Sequence, residues 1–137
     1  MATDLFQWNR SDYVVVVDYY SRFFEVARLE NTRSSTVITH MKSIFARHGI
    51  PREVRSDNGP QYASREFATF SQAWDFRHVT TSPHHAQANG LAEKTVQTVK
   101  RILQKCKETE KDPYLGLLQY RNTPIDDVGS PAQILMS

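Results

Sequence analysis

The segment "YVVVVDYYS", Tyr13 to Ser21, constrains the fold more than any other stretch of the chain. Four consecutive valines, Val14 to Val17, leave no polar position on either face of an extended backbone, which is the pattern of a strand covered on both sides. Such a strand lies inside a sheet with other elements packed against both of its faces. The flanking sequence supplies neighbours. "DLFQW" precedes the turn-like "NRSD", and "RFFEVARL" follows closely, so the first thirty residues read as three short antiparallel strands. From Ser34 to His48 the period changes: Val37, Ile38, Met41, Ile44 and Phe45 recur at helical spacing, with Gly49 and Pro51 as the stop. "EVRSD" is a further strand. "SREFATFSQAWD" is a helix capped by Ser64 with Phe67, Phe70 and Trp74 on one face, and "RHVTTS" is another strand. A polar loop, "PHHAQANG", leads to a long helix from about Leu91 to Lys107 with a core face of Ala92, Val96, Val99, Leu103 and Cys106. Asp112-Pro113 opens another helix, expected to turn Tyr114, Leu117, Leu118 and Tyr120 inward, and Ser130-Pro131 a last short one. The order predicts an α/β fold: a five-stranded mixed sheet, three antiparallel strands and then two more, with helices on both faces.

At 137 residues the chain suits a single domain, 1–137. Lys and Arg number 17 against 15 Asp and Glu, giving a charge of +2, which permits a nucleic-acid partner without requiring one. The single cysteine, Cys106, excludes an internal disulfide, argues against a structural zinc cluster and fits a reducing, intracellular setting. His84 and His85 are adjacent, but lack further ligands at zinc spacing. No apolar run approaches the ~20 residues of a membrane span. The start at "MATDLF" and the stop after "SPAQILMS" give the expectation of a domain cut from a longer polypeptide, with a clipped and poorly anchored first strand.

Ligand sites in α/β sheets gather near strand ends, which draws attention to Asp4 on the first strand, Asp18 after the valines and Asp57 in "VRSDNGPQY". Glu93 joins them from the long helix, about 100° round from Ala92, on a polar face that repeats at Gln97, Lys100 and Gln104. Each acid has an ordinary explanation. Asp57 precedes an Asn-Gly turn, Glu93 sits where a helix dipole favours an acid, and Asp4 and Asp18 are strand-edge acids.

Taken together, "ATDLF", "VVVVDYYSRFFEV", "VRSDNGPQYAS" and "SPHHAQANGLAEKTVQTVKRIL", in this order, resemble the catalytic core domain of retroviral and gypsy-type retrotransposon integrases. Thirty-five residues separate Asp57 from Glu93, the interval of that family's Asp, Asp, 35, Glu signature. The resemblance implies a ribonuclease-H-like fold and a catalytic, metal-binding triad of Asp4, Asp57 and Glu93. Asp4, rather than the more conspicuous Asp18, matches the first acid. Asp18 then supports the site, as an ion-pair partner of Arg22 or as a strand-end cap.

Three converging carboxylates repel one another unless a cation joins them, and hard oxygen donors point to Mg²⁺ or Mn²⁺, two ions in the active form. The reactions implied by the resemblance are hydrolytic trimming of a DNA 3′ end and attack of that 3′ hydroxyl on target DNA. Lys100 on the Glu93 face, Gln87 and Asn89 in the preceding loop, and Asn58 beside the second acid are the DNA-contact candidates. The resemblance also implies a homodimer through core helices and a nuclear site of action. Integrases carry a zinc domain ahead of the core and a basic domain after it, and neither is in this sequence. Two rival readings stand: a host-adopted or relic domain that only binds DNA or dimerises, and another ribonuclease-H-like nuclease or transposase.

Overall fold

The computed structural model describes residues 1–81 and 89–121. Five strands and four helices follow in the order β1 (Ala2–Trp8), β2 (Ser11–Val17), β3 (Phe24–Leu29), α1 (Ser34–His48), β4 (Glu53–Ser56), α2 (Arg65–Ala73), β5 (Arg77–Thr80), α3 (Gly90–Glu108) and α4 (Pro113–Arg121). The helix expected at Ser130-Pro131 lies outside the described residues.

The sheet order is β3-β2-β1-β4-β5. β1 and β2 are antiparallel over their full lengths, from Ala2 opposite Val17 to Trp8 opposite Ser11, and β3 is antiparallel to β2. β4 runs parallel to β1, paired at Ala2 opposite Arg55, and β5 runs parallel to β4. β1 is therefore well anchored, against the expectation of a loose first strand: its whole length pairs with β2, and the Arg55 N–H donates to the Met1 carbonyl at 2.8 Å.

All four valines of β2 are buried, and they part by face. Val14 and Val16 join one core with Val37, Ile38, Met41, Ile44, Phe45, Phe67 and Phe70 from α1 and α2. Val15 and Val17 join a second core with Ala92, Val96, Val99 and Leu103 from α3, closed by Ala2 and Phe6 of β1. Each large side chain covered in this way stabilises the fold by roughly 1.5–3 kcal/mol. Capping fixes where α2 begins, because the Ser64 hydroxyl accepts from the Phe67 N–H at 3.1 Å.

One expectation is corrected. Tyr114 and Leu118 of α4 are exposed, at 77% and 51%, and Tyr120 is 40% exposed although its ring lies 5.7 Å from that of Phe24. The reason is a close helix contact at Gly116, where an added Cβ would lie 2.4 Å from Cys106 Sγ. With Gly116 against α3, Leu117 falls on the inner side and packs on the second core, while Tyr114, Leu115 and Leu118 turn outward. No described helix is long and apolar enough to cross a membrane.

Candidate active site

Strand pairing determines where the acids stand. Because β1 and β4 are parallel neighbours with Ala2 opposite Arg55, Asp4 and Asp57 lie two residues further along on adjacent chains. Side chains alternate along β1, so Asp4 shares a face with the buried Ala2 and Phe6, the face that α3 covers. Glu93 is in the first turn of that helix.

Asp4 is partly buried, and its carboxyl is pushed up to about 6 from an ordinary 3.8. Burial is the main cause, the charge of Asp57 the next, and Glu93 adds to it. Two influences act the other way: the Leu5 N–H donates to Asp4 Oδ1 at 2.9 Å, and the Lys100 ammonium attracts the ionised form. The acids and Lys100 thus share one electrostatic neighbourhood, with Asp57 acting on Asp4 more strongly than Glu93 does.

Asp57 keeps its turn role as well. Its Oδ1 accepts from the Gly59 N–H at 3.0 Å, while the side chain as a whole is exposed. Glu93 is also exposed. Clefts between α1 and α2 (about 420 Å³), beside Arg22 and Lys94 (about 290 Å³), beside Cys106 and Gly116 (about 240 Å³) and beside Met1 and Asp18 (about 430 Å³) are lined by other residues. Asp57 and Glu93 are thus exposed, while Asp4 is half-buried between them and the core.

Among the described residues, no three His, Cys, Asp or Glu side chains stand close enough to hold a metal ion together. The donor chemistry nevertheless fits a hard divalent cation. Asp4 and Asp57 are oxygen donors whose mutual repulsion helps hold Asp4 near 6, and bound positive charge relieves that repulsion.

Other expected residues divide. Lys100 is half-buried on the Glu93 side of α3, and Asn58 is exposed beside Asp57. Asn89, expected to face DNA, is instead buried at the start of α3, its Oδ1 without a partner among the described residues. Gln87, His84 and His85 lie outside the described residues. Asp18 is the strand-end cap and not the ion-pair partner of Arg22. Its Oδ2 accepts from the Ser21 N–H (2.9 Å) and hydroxyl (2.8 Å), and the Arg22 N–H donates to its carbonyl at 2.9 Å. Arg22 takes a positive φ of 63° in this turn.

A polar layer that sequence reasoning missed lies beneath the acids. Thr3 and Ser56, the residues just before Asp4 and Asp57, are both fully buried. Thr3 Oγ1 is 3.0 Å from the Tyr62 hydroxyl, and Ser56 Oγ is 2.8 Å from His78 Nε2. Burial pushes the Tyr62 phenol up and the His78 imidazole down, so both favour the neutral form. The available signal was a hydroxyl residue directly before each acid.

A family model described as the integrase core domain matches residues 3–86. Over 111 residues the chain is 33% identical to the Gag-Pro-Pol polyprotein of mouse mammary tumor virus (strain BR6), a match covering 80% of this chain and 6% of that protein. The chain spans less than a tenth of the length of the curated relatives it matches. A chain of the cryo-EM structure of the simian T-cell lymphotropic virus intasome in complex with PP2A regulatory subunit B56 gamma superposes with a TM-score of 0.87 at 24% identity, covering 99% of this chain and 53% of that one. The HTLV-2 integrase catalytic core domain in complex with magnesium gives 0.76 at 21% identity, covering 97% and 93%. At such identities the likeness is one of fold, and the fold is ribonuclease-H-like.

Proposed function

The chain belongs to the integrase core domain family, and we propose that it is the catalytic core of a retroelement integrase, transferring DNA ends by metal-dependent polynucleotidyl transfer. The observation that carries this reading is the placement of Asp4 and Asp57 side by side, each two residues past the paired Ala2 and Arg55 of adjacent parallel strands, with Glu93 in the first turn of the helix that covers the Asp4 face.

Asp4, Asp57 and Glu93 are the residues that would hold Mg²⁺ or Mn²⁺, and magnesium is named with the HTLV-2 core, which has this fold. When bound, such ions supply charge stabilisation at the attacking and leaving oxygens of an in-line displacement at phosphorus. The chain's own residues do the rest. Lys100 offers a phosphate its positive charge next to the acids, and the exposed Asn58 lies where a strand laid on Asp57 would pass. Gln87 belongs to the same proposed DNA-contact set. The Asx turn from Asp57 to Gly59 fixes one carboxylate oxygen and thereby the direction of the other. In the first reaction water attacks the phosphodiester near a 3′ end. In the second, the freed 3′ hydroxyl attacks target DNA, one phosphorus–oxygen bond forming as another breaks. The proposal includes a homodimer through the core helices and action in the nucleus.

Strand transfer and its reversal on branched oligonucleotides test this, with and without Mn²⁺, for the chain and its Glu93→Gln variant. Metal-dependent joining lost in the variant is the expected result. Activity in neither points to a DNA-binding or dimerisation module, and cleavage of plain RNA points to another nuclease of the same fold.

A further inference from the structure

The buried polar layer beneath the acids has a direction that hydrogen counting reveals. Ser56 has one hydroxyl hydrogen, and it is donated to the Asp57 carbonyl at 2.8 Å. Its oxygen can then only accept from His78 Nε2, also 2.8 Å away, so the neutral ring must carry its proton on Nε2. The relay runs from the His78 ring to the Ser56 hydroxyl to the Asp57 peptide. His78 is itself held: its ring lies 4.5 Å from that of Phe67 and 6.4 Å from that of Tyr62. On the far side, Thr81 extends the β4–β5 ladder past its last pair, its N–H donating to the Ser56 carbonyl at 3.0 Å.

Position in the sheet gives this relay its consequence. Asp57 is the first residue past the end of β4, where ladder hydrogen bonds no longer fix the backbone. A carbonyl held from below by Ser56 sets the orientation of the peptide on which the exposed Asp57 side chain is carried. Asp4 has no such need, because β1 continues to Trp8 and pairs along its length.

We propose that His78, acting through Ser56, is a positioning residue that orients Asp57 for cation binding. This inference rests on the integrase reading of the acids. His78 touches neither substrate nor cation in it, and the effect is expected on metal affinity more than on the chemical step.

The test compares the 137-residue chain with H78F, H78Q, S56A and the double variant H78F/S56A, with D57N as control. Long-range proton–nitrogen spectra of the metal-free protein are expected to show His78 protonated at Nε2. The Mn²⁺ concentration for half of the metal-induced rise in melting temperature, and for half-maximal DNA cleavage, should increase about 10-fold or more in H78F. H78Q should stay close to wild type, because the glutamine amide offers an N–H at similar reach. S56A should match H78F, with no further loss in the double variant. A wild-type midpoint in H78F, equal impairment of H78Q and H78F, or a ring protonated at Nδ1 overturns the inference. If H78F does not fold, S56A decides by the same midpoints. A wild-type chain indifferent to Mn²⁺, or a D57N variant with an unchanged response, overturns the site reading and this inference with it. A metal-responsive wild type beside an unaltered H78F overturns this inference alone.

Discussion

Asp4 is the residue where the site's electrostatics become measurable without a metal. Its carboxyl is pushed up to about 6, above the 3.8 of an unperturbed group, so between these values the folded chain keeps a proton that the unfolded chain releases. The stability linked to that proton is present in full below about pH 4 and is lost as pH rises through about 6. Replacing Asp4 by Asn removes the titration. In EDTA at pH 7, D4N should be the more stable protein by about 1 kcal/mol, a figure discounted for solvent beside a half-exposed group, or roughly 3–6 °C in melting temperature. That advantage should shrink towards pH 4, and a constant difference between pH 4 and 7 would contradict the raised carboxyl. His78 acts in the opposite sense, since burial lowers its imidazole and the unfolded chain takes up a proton first as pH falls through 6.5. Comparing D4N with wild type cancels that contribution. Adding Mn²⁺ should raise the melting temperature of wild type and not of D4N, with differential scanning fluorimetry as the readout. The acids were legible in the sequence because charge at a family interval is a local, countable signal. The layer below them was not: Thr3 meets Tyr62 across 59 positions and Ser56 meets His78 across 22, and nothing in the character of a serine or threonine announces a distant partner.

At the level of elements, the β1–β2 hairpin and the α3–α4 contact make opposite demands on backbone and space. Two residues, Asn9 and Arg10, connect β1 to β2, with φ of 50° and 65°. Positive φ at both central positions is the geometry of a type I′ turn, which asparagine tolerates and arginine does not favour. Arg10→Gly should therefore stabilise the protein by about 0.5–1 kcal/mol, read as a shift in urea midpoint at constant slope, whereas Asn9→Val should destabilise it. Gly116 presents a spatial requirement instead. A methyl added there would lie 2.4 Å from Cys106 Sγ and 3.3 Å from Ile102 Cγ2, so Gly116→Ala should cost about 1–3 kcal/mol. Pairing it with Cys106→Ala, which removes the sulfur, should recover part of the loss, and strictly additive costs would show that the clash is relieved elsewhere. The same glycine explains which elements could be read from sequence. α1 and α3 carry their apolar residues at helical spacing on a single stripe, and Val37 to Phe45 and Ala92 to Cys106 are buried as that spacing requires. In α4, Tyr114, Leu115, Leu117, Leu118 and Tyr120 surround the helix, so periodicity could not select a face. The face was selected by the smallest residue, which a hydrophobic pattern ignores.

For the whole molecule, charge placement matters more than charge sum. A net +2 spread over 137 residues would give little attraction to DNA, but α3 concentrates Lys94, Lys100, Arg101, Lys105 and Lys107 on one element. Most of these are exposed and serve equally well as a solvated helix face. Lys100 differs because its charge acts on Asp4, so a phosphate drawn to it is brought beside the acids. Two kinds of cation can therefore be distinguished by experiment. Binding of duplex DNA to the chain should weaken steeply between 50 and 200 mM salt, since each neutralised phosphate releases counterions and contributes about −0.9 to the logarithmic slope. Lys100→Ala should lower that slope by about 1, weaken binding uniformly across sequences, and reduce cleavage more than binding because the displaced phosphate is the reacting one. Lys107→Ala, at the far end of the helix with its ammonium 3.4 Å from Asn9 Oδ1, should lower cleavage only in proportion to binding. Fluorescence anisotropy across the salt series, with cleavage assayed at matched occupancy, separates the two. A flat salt response would remove the phosphate-tracking surface from the proposal, and equal effects of the two lysines on cleavage would leave Lys100 no closer to the chemistry than any other charge on the helix.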